Sequence, residues 1–363
     1  MIAEILLKVA GFEKAREMSY YPRPSMAGPE RCLRQLCYMA QGLKGSAMDD
    51  RMVVVLDDSS WHEELTADWL RKTAFQLHSQ QMAVDCGTVV HNGRPFVVKG
   101  HIDGILTDLS GIDRLWEHKA LNHFTFQRYL GGQYPLDYLT QCALYLVGLQ
   151  KIQPEISEAV LLIKNKNTSA YLEFLLSYDS ANDVMKVREI ICSDGTRRVG
   201  DVFLNLYREA FERFRRIERH GQERMLPERQ YDLGDWHCEY CPYGAFCWWN
   251  YEEEFGRLIQ GAELEGDIAQ VAAEYREVSC RVKGLERRQK ELRDALKKGL
   301  KAAGVSRGTA GGLFVSLTLQ KRMAIDESLI PAEILQAAKK EKLMEVITIK
   351  EIRKKEEKSH ERI

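Results

Sequence analysis

Apolar and polar positions recur with two different periods in the first part of the chain. Residues 61–78 place apolar side chains about one helical turn apart, with acidic residues in the first turn, which predicts an amphipathic helix. Residues 82–90 and 95–107 have the pattern of strands, and the Asn92-Gly93 pair between them readily adopts the positive φ angles of a tight hairpin turn. The pattern therefore predicts a helix followed by a β-hairpin.

Strand and helix patterns continue to alternate further along the chain. A third strand is predicted over 114–120, a helix over 136–150, and two more strands over 157–164 and 170–178. A long helix is then predicted over 179–220. This order of elements favours the α/β class, in which a mixed central sheet is flanked by helices.

The composition changes in the last third of the chain. Residues 255–303 are rich in Glu, Lys and Arg, carry apolar residues at helical spacing, and predict a long helix or a helical hairpin. Residues 311–320 predict one strand, and the lysine- and glutamate-rich segment 339–362 is expected to be helical or frayed. We therefore expect an α/β domain over 1–252 and a helical C-terminal extension with a short strand over 253–363.

The overall charge and the cysteine count restrict the classes of protein to consider. Lys and Arg number 52 against 53 Asp and Glu, which argues against a protein that coats nucleic acid through its global charge. The chain has no apolar run of membrane-spanning length, and Glu4 stands where a signal peptide would carry positive charge, so we expect a cytoplasmic protein with no membrane partner. Nine cysteines without an export signal favour free thiols or metal ligands over disulfides.

Two carboxylates and a lysine fall on neighbouring predicted strands. Asp103 lies in a Gly-His-Ile-Asp-Gly segment, and Glu117-His118-Lys119 follows on the next strand. Side chains two residues apart on a strand share a face, so Glu117 and Lys119 point the same way. Converging carboxylates make a hard-oxygen site for Mg²⁺ or Mn²⁺, and an adjacent ammonium can polarise a water. A solvated surface strand is the alternative, because this short pattern is common by chance.

Three further residues extend this candidate active site. His62 lies in the first turn of the helix predicted before the hairpin and can supply another metal ligand. Gln141 and Tyr145, four residues apart on the predicted helix 136–150, share a face and can hydrogen-bond a DNA backbone or ordered water.

The order of these residues resembles that of the RecB-like branch of the PD-(D/E)XK nucleases, over about residues 20–250. The resemblance implies a restriction-endonuclease-like fold and a set of metal ligands, namely His62, Asp103, Glu117 and the main-chain carbonyl of His118. It also implies a catalytic set of Asp103, Glu117, Lys119, Gln141 and Tyr145, in which Lys119 positions the attacking water. The residues just before His62 lack the glycine frequent in this branch, and Glu64 is the alternative ligand.

A cysteine cluster lies near the end of the predicted α/β domain. Cys238 and Cys241 are separated by two residues, and Cys247 follows after five more, a density typical of metal sites. A fourth ligand is needed. One early and three late cysteines in this spacing resemble the iron–sulfur members of the same branch, such as AddB-type subunits and CRISPR-adaptation exonucleases. The resemblance implies a [4Fe–4S] cluster on Cys32, Cys238, Cys241 and Cys247, with structural Zn²⁺ as the alternative metal and Cys37 as the alternative ligand.

The resemblance also implies an activity. We expect a metal-dependent DNA exonuclease that acts on single- or double-stranded ends in recombination or repair, and it is expected to be phage-encoded because the C-terminal region loosely resembles phage recombination exonucleases. The sequence contains no Walker A loop, so any ATP-driven unwinding is expected to come from a separate partner. A helicase, a recombinase or a single-strand-binding protein is the expected kind of partner, and an oligomer is compatible with the sequence. The alternative function is that of a catalytically silent, nuclease-fold DNA-binding or assembly protein.

Cations and aromatic rings follow the predicted active site in the chain. A rim that faces DNA needs cations for the backbone and rings for the bases. The residues that could form such a rim are Arg128, Tyr129, Tyr134, Lys164 and Lys166. An ordinary mixed, solvent-exposed surface is the alternative interpretation.

Overall fold

The structure is a computed structural model, and it divides into two compact units, residues 1–249 and 250–363. The residues that it describes are 2–14, 19–47, 49–256, 266–311 and 313–319. None of the helices in these ranges combines the length and the apolar character needed to cross a membrane.

The first unit is built around one mixed sheet. Listed from one edge to the other, its strands are β1 (Gln76–His78), β4 (Gly104–Thr107), β5 (Asp113–Leu121), β6 (Glu158–Asn165), β7 (Tyr171–Asp179), β8 (Val184–Cys192) and β10 (Val202–Leu204), with β9 (Arg197–Arg198) beside β8. The neighbours β5 and β6 are parallel, whereas the other pairs are antiparallel. Strands β2 (Ala83–His91) and β3 (Arg94–His101) form a separate two-stranded ribbon.

Helices surround this sheet. Those of the first unit are α1 (Ile2–Lys14), α2 (Leu33–Ala40), α3 (Asp50–Leu70), α4 (His123–Leu130), α5 (Leu136–Gln150), α6 (Leu206–Glu223) and the short α7 (Trp236–Glu239) and α8 (Gly244–Cys247). The second unit contains α9 (Tyr251–Gly256), α10 (Asp267–Ala302) and a hairpin of β11 (Arg307–Ala310) and β12 (Leu313–Ser316).

The alternation of side chains along β5 places α3 and α5 on opposite faces of the sheet. Trp116 is fully buried and packs in a cluster with Ala67 of α3 and Val160 of β6. Its neighbour Glu117 points to the other face, where the core residues Cys142 and Leu161 lie. Both faces are therefore covered by helix, which is consistent with the continuous apolar run over residues 159–163 of β6.

Most of the predicted elements are confirmed, with boundaries that differ by at most one residue. The confirmed elements are the strands predicted over 82–90, 114–120, 157–164 and 170–178 and the helix predicted over 136–150. The strand predicted over 95–107 is two strands, because the chain leaves the ribbon after His101 and enters the main sheet at Gly104.

The amphipathic helix before the hairpin differs from its prediction at both ends. Helix α3 begins at Asp50, where the Asp49 side chain accepts a hydrogen bond from the Arg51 N–H at 2.8 Å. It ends at Leu70, and residues 76–78 form the edge strand β1. A capping residue, which satisfies a free N–H group of the first turn, thus marks the start better than the apolar period.

The long helix predicted over 179–220 is wrong in its first half. Strands β8, β9 and β10 occupy that region, and α6 begins only at Leu206. Val184 and Val187 are three apart and fit a helical period, but in β8 buried and exposed residues largely alternate. Asp183 ends the preceding turn and accepts hydrogen bonds from Tyr178 Oη at 2.9 Å and Arg208 N at 2.9 Å, so it fixes both the strand and the helix start.

In the second unit, the long helix predicted within 255–303 is confirmed as α10. The strand predicted over 311–320 is β12, and its hairpin partner β11 was not predicted. The segment 339–362 lies outside the described residues.

Candidate active site

Asp103 occupies the crossing between the ribbon and the main sheet. The preceding Ile102 still pairs with the ribbon side, because its N–H donates to the Met82 carbonyl at 3.1 Å, whereas Gly104 pairs with Trp116 of β5. The Asp103 side chain is 9% exposed, and its Oδ2 accepts a hydrogen bond from the His118 N–H at 2.8 Å. The change of sheet therefore aims this carboxylate at β5.

Glu117 and Lys119 lie on the face of β5 that points to α5. Glu117 is 0% exposed, its Oε1 accepts a hydrogen bond from Lys119 Nζ, and its Oε2 is buried without a partner among the described residues. Burial raises the pKa of Glu117, and the nearby Asp103 raises it further. Burial lowers the pKa of Lys119, but the carboxylates of Glu117 and Asp103 outweigh this effect and hold it above its usual range.

An unpartnered buried carboxylate oxygen is costly in free energy. Leaving a buried acceptor unsatisfied costs about 1–3 kcal/mol, and more when the group is charged. Such an atom indicates that a ligand belongs there, and hard oxygen donors select divalent cations such as Mg²⁺ and Mn²⁺. The free oxygen of Glu117 and the neighbouring Asp103 fit such an ion.

Gln141 and Tyr145 form the wall of the site on α5. Gln141 Nε2 donates to Tyr145 Oη at 3.0 Å, and both side chains are buried. Gly100 of β3 allows this position, because a Cβ added there would lie 2.5 Å from Tyr145 Cε1 and 2.9 Å from Pro24 Cγ. The pKa of Tyr145 is raised by burial and then by Glu117, so its hydroxyl stays protonated beside the carboxylates.

The structure brings Glu63, which the sequence analysis did not select, towards the carboxylates. Burial raises the pKa of Glu63 to about 7, and the charge of Asp103 contributes to the rise. The alternative ligand Glu64 is 64% exposed and lies 3.9 Å from the Arg71 guanidinium. A pattern signal was available, because Glu63 lies one helical turn before Ala67, which packs on the sheet.

His62 has different surroundings from Glu63. Its pKa is lowered by partial burial and by the cations Lys164 and Lys166. Its main-chain carbonyl accepts from Thr66 Oγ1 at 2.9 Å, and the same hydroxyl lies 3.3 Å from Tyr171 Oη. The cations that act on the imidazole, Lys164 and Lys166, thus differ from Lys119, which acts on the carboxyls, and Asp58 offsets part of their effect.

The side chain of His118 is on the opposite face of β5 from its neighbours. Its ring lies 5.8 Å from that of Trp116, and burial together with Lys119 and Lys164 lowers its pKa to about 3, so the ring is neutral. Only the main chain of His118 therefore faces the carboxylates, through the N–H that holds Asp103.

The predicted DNA-facing rim is wrong for two of its five residues. Tyr129 is 5% exposed and Lys164 2% exposed, and Lys164 Nζ lies 5.7 Å from the centroid of the Tyr171 ring. Tyr134 Oη accepts a hydrogen bond from the Asp201 N–H at 3.0 Å. The strand and helix patterns could not predict the burial of Tyr129 and Lys164, because the elements that carry them are covered by residues distant in sequence.

The four cysteines line one cavity of the first unit. Cys32, Cys238, Cys241 and Cys247 share its wall, with His237 and Trp248 among the other lining residues. Burial raises the pKa of Cys32, Cys238 and Cys241, and each of these thiols also feels the charge of other members of the group. Cys37, the alternative ligand, is fully buried in the neighbouring apolar cluster with Tyr38.

Hydrogen bonds hold the early and the late cysteine segments together. Gln230 Oε1 accepts from the Leu33 N–H at 3.1 Å, and Gln230 Nε2 donates to the Pro29 carbonyl at 2.9 Å. Further along, Tyr243 Oη donates to the Leu43 carbonyl at 3.1 Å. Two segments about 200 residues apart in sequence are therefore joined by protein contacts at the cavity.

No three His, Cys, Asp or Glu side chains within the described ranges already have the arrangement of a metal site. The donor atoms of the candidate active site and of the cysteine cavity nevertheless fit a metal. The first offers buried carboxylates with a free oxygen on Glu117, and the second offers four thiols on one cavity wall.

Comparison with known families agrees with this geometry. A model of the PD-(D/E)XK nuclease superfamily matches residues 23–248, which include the sheet, the candidate active site and the four cysteines. The chain belongs to the PD-(D/E)XK nuclease superfamily, and its mixed sheet flanked by helices is the fold expected for that superfamily. Proteins of this superfamily are generally nucleases.

Individual proteins add little to this assignment. A solved structure described as "Crystal structure of SSO0001" is 15% identical in sequence to this chain, with a TM-score of 0.39. The match covers 68% of this chain and 96% of that one. No curated protein matches.

Proposed function

We propose that this protein is a divalent-metal-dependent deoxyribonuclease. The observation that carries the proposal is the pairing of the buried Glu117, whose Oε2 has no partner among the described residues, with Lys119 on the same face of β5. Asp103 adds a second carboxylate, which the His118 N–H orients. The membership of the superfamily supports the same activity.

In this proposal the metal ligands are Asp103, Glu117 and Glu63, assisted by the main-chain carbonyl of His118. A bound Mg²⁺ or Mn²⁺ would act as a Lewis acid towards the scissile phosphate and lower the pKa of bound water. Lys119 holds and orients the attacking water by hydrogen bonding. His62 lies beside two lysines, so we propose that it contacts a phosphate of the DNA in place of the metal role implied by resemblance.

Gln141 and Tyr145 act as positioning residues. Their mutual hydrogen bond fixes the Tyr145 ring beside Gly100, and it leaves the Gln141 carbonyl oxygen able to accept from water or from Lys119. Tyr138 closes the same side, because Lys119 Nζ lies 5.5 Å from the centroid of its ring. This packing keeps the ammonium pointed at Glu117.

We further propose exonucleolytic action on DNA ends in recombination or repair, with a helicase, recombinase or single-strand-binding protein as partner. Support comes from the order of His62, Asp103, Glu117-x-Lys119 and Gln141-x₃-Tyr145 along the chain, which resembles the RecB-like branch.

Digestion of labelled DNA tests this proposal. Anaerobically purified protein would be incubated with end-labelled linear DNA and with circular DNA, each single- and double-stranded, in Mg²⁺, Mn²⁺ or EDTA. We expect metal-dependent loss of linear DNA and persistence of circles. Equal cleavage of circular and linear DNA would show that the activity is endonucleolytic and would contradict the exonuclease proposal. Binding without cleavage by an intact preparation would favour a DNA-binding platform.

We also propose that Cys32, Cys238, Cys241 and Cys247 hold a [4Fe–4S] cluster, with structural Zn²⁺ as the alternative. The shared cavity wall supports a common ligand for the four thiols. A metal bound there would reinforce the link that Gln230 and Tyr243 already make between the two segments. The role of this site is structural, because four thiolates leave no open position for a reacting water.

A further inference from the structure

Helix α10 of the second unit carries an apolar stripe that no described residue covers. The helix has 36 residues, none of them buried. Eight large apolar side chains along it are between 47% and 69% exposed: Ile268, Val271, Tyr275, Val278, Val282, Leu285, Leu292 and Leu296. A stripe of this length is too regular to be a scatter of single exposed apolar residues, which are normal on protein surfaces.

The spacing of the stripe is that of a coiled coil. From Ile268 the steps alternate between three and four residues as far as Leu285, and Leu292 and Leu296 continue the same frame. The mean period is therefore 3.5 residues, so the stripe stays in line only if the helix winds left-handedly around another helix. The frame extends over about four heptads, a length at which such a pattern indicates a coiled coil.

The position that interrupts the stripe identifies the partner. Val282, Gln289 and Leu296 are seven residues apart and occupy the same position of the heptad, called position a. Gln289 is thus a polar residue at a position that is apolar one heptad before and one heptad after it. In a parallel, in-register pair, each residue at position a faces its own copy, so two Gln289 amides can hydrogen-bond each other within the apolar seam. In an antiparallel pair, or against a different segment, Gln289 would face an apolar residue or need a matching polar one.

The charges beside the seam allow the same pairing. Arg281 precedes the seam residue Val282, and in a parallel pair it would face Glu286 of the other copy, a favourable contact made twice by symmetry. The corresponding contact one heptad later, between Arg288 and Arg293, is like-charged. Arg288 is already paired with Glu291 of its own helix at 3.0 Å, which weakens that repulsion.

We propose that α10 forms a parallel, two-stranded coiled coil with α10 of a second copy of this chain. The seam then removes apolar surface from water along about 40 Å of helix, from Ile268 to Leu296. Two nuclease units are thereby tied into one molecule. This inference stands independently of the proposed nuclease activity.

The mass of the full chain in solution tests the pairing. Sedimentation equilibrium should give twice the 41.8 kDa of one chain. Val282→Glu or Leu285→Glu places a charge in the seam and should raise the dissociation constant at least about tenfold, towards monomer. Ala273→Glu, on the opposite side of the same helix, adds the same charge and should leave the dimer intact.

Cross-linking tests the register. Under mild oxidation, Gln289→Cys should give a covalent dimer, whereas Ala273→Cys and the unsubstituted chain should not. A covalent dimer of the unsubstituted chain would mean that native thiols react. Gln289→Cys and Ala273→Cys would then be compared in chains that also carry Cys280→Ser.

Three results would overturn the proposal. The first is a monomeric unsubstituted chain at micromolar concentration. This includes a monomer in which the α10 amides are protected from hydrogen exchange, because another part of the same chain would then cover the stripe. The second is a dimer that both Val282→Glu and Leu285→Glu leave unchanged. The third is a dimer in which Gln289→Cys never cross-links, because that excludes the parallel register.

Discussion

At the scale of single residues, the candidate active site contains more acid than the metal-free protein can keep ionised. Burial raises the pKa of Glu63, Asp103 and Glu117, and each of these carboxyls is near at least one of the others or Lys119. The Lys119 ammonium and the His118 N–H offset part of this effect at Asp103. A divalent cation that binds here must therefore displace protons.

The first prediction concerns pH. An ordinary carboxylate has a pKa near 4, so its metal affinity would be flat above about pH 6. Burial raises the pKa of Glu63 to about 7 and also raises that of Glu117, so the ionised form that binds metal is gained as pH rises through neutrality. Titration calorimetry with Mn²⁺ should show affinity that increases from about pH 6 to about pH 8.5. An affinity that is constant over this range would contradict the prediction.

The second prediction distinguishes two adjacent glutamates. Glu63→Gln should weaken Mn²⁺ binding about 10-fold or more and slow DNA cleavage, because it removes a carboxylate beside Asp103. Glu64→Gln is the matched control and should leave both unchanged, because that side chain is exposed. His62→Gln should weaken DNA binding more than Mn²⁺ binding. If Glu64→Gln or His62→Gln instead has the larger effect on Mn²⁺ affinity, the assignment of Glu63 is wrong.

Short spacing along one element is enough to predict which side chains share a face. The shared face of Glu117 and Lys119 follows from a two-residue step on one strand, and the Gln141–Tyr145 contact follows from a four-residue step on one helix. The position of Glu63 relative to the carboxylates cannot be predicted in this way, because it depends on how α3 packs against a strand about 50 residues later.

At the scale of elements, the candidate active site depends on the point where the chain leaves the ribbon and enters the main sheet. The residues between β3 and β4 carry Asp103, and Gly100 lets β3 pass against α5. The sequence predicted one strand over 95–107 because its apolar pattern is continuous. The break comes from competition between two pairing partners, the ribbon and β5, which no local pattern records.

The third prediction tests this packing. Gly100→Ala should lower the free energy of unfolding by about 1–3 kcal/mol, because the added methyl group would meet the Tyr145 ring and Pro24. Gly221→Ala in α6 is the control. No atom lies within 4 Å of a Cβ at that position, so the variant should be neutral or slightly stabilised. Equal urea-denaturation midpoints for Gly100→Ala and the unsubstituted protein would refute the predicted clash.

The fourth prediction concerns the cysteine cavity. Cys241→Ala should lose bound iron or zinc and lower the thermal midpoint by at least about 5 °C, because it removes one of the four proposed ligands, which lie on distant segments of the chain. Cys280→Ala, at an exposed position of α10, should change neither quantity. Iron, zinc and acid-labile sulfide would be measured on anaerobic preparations. A wild-type protein with no bound metal would contradict the cluster.

At the scale of the whole molecule, the two units differ in how their sequences specify structure. In the first unit, residues far apart in sequence form the core, and the segment of β8 has an apolar spacing that also fits a helix, so its local pattern does not identify the strand. In the second unit, α10 follows from local composition alone and was predicted. The pairing of α10 with a second copy is a property of two chains, and we infer it from the 3.5-residue period and from Gln289.

The most direct test of the central claim is single-turnover cleavage of end-labelled DNA by the unsubstituted protein, Glu117→Gln and Lys119→Ala, in Mn²⁺ or EDTA. We expect cleavage only with metal, and a loss of at least about 100-fold in both variants, while circular dichroism and DNA binding stay unchanged. Cleavage by Glu117→Gln or Lys119→Ala at the rate of the unsubstituted protein, or cleavage that survives EDTA, would contradict the assignment of this site.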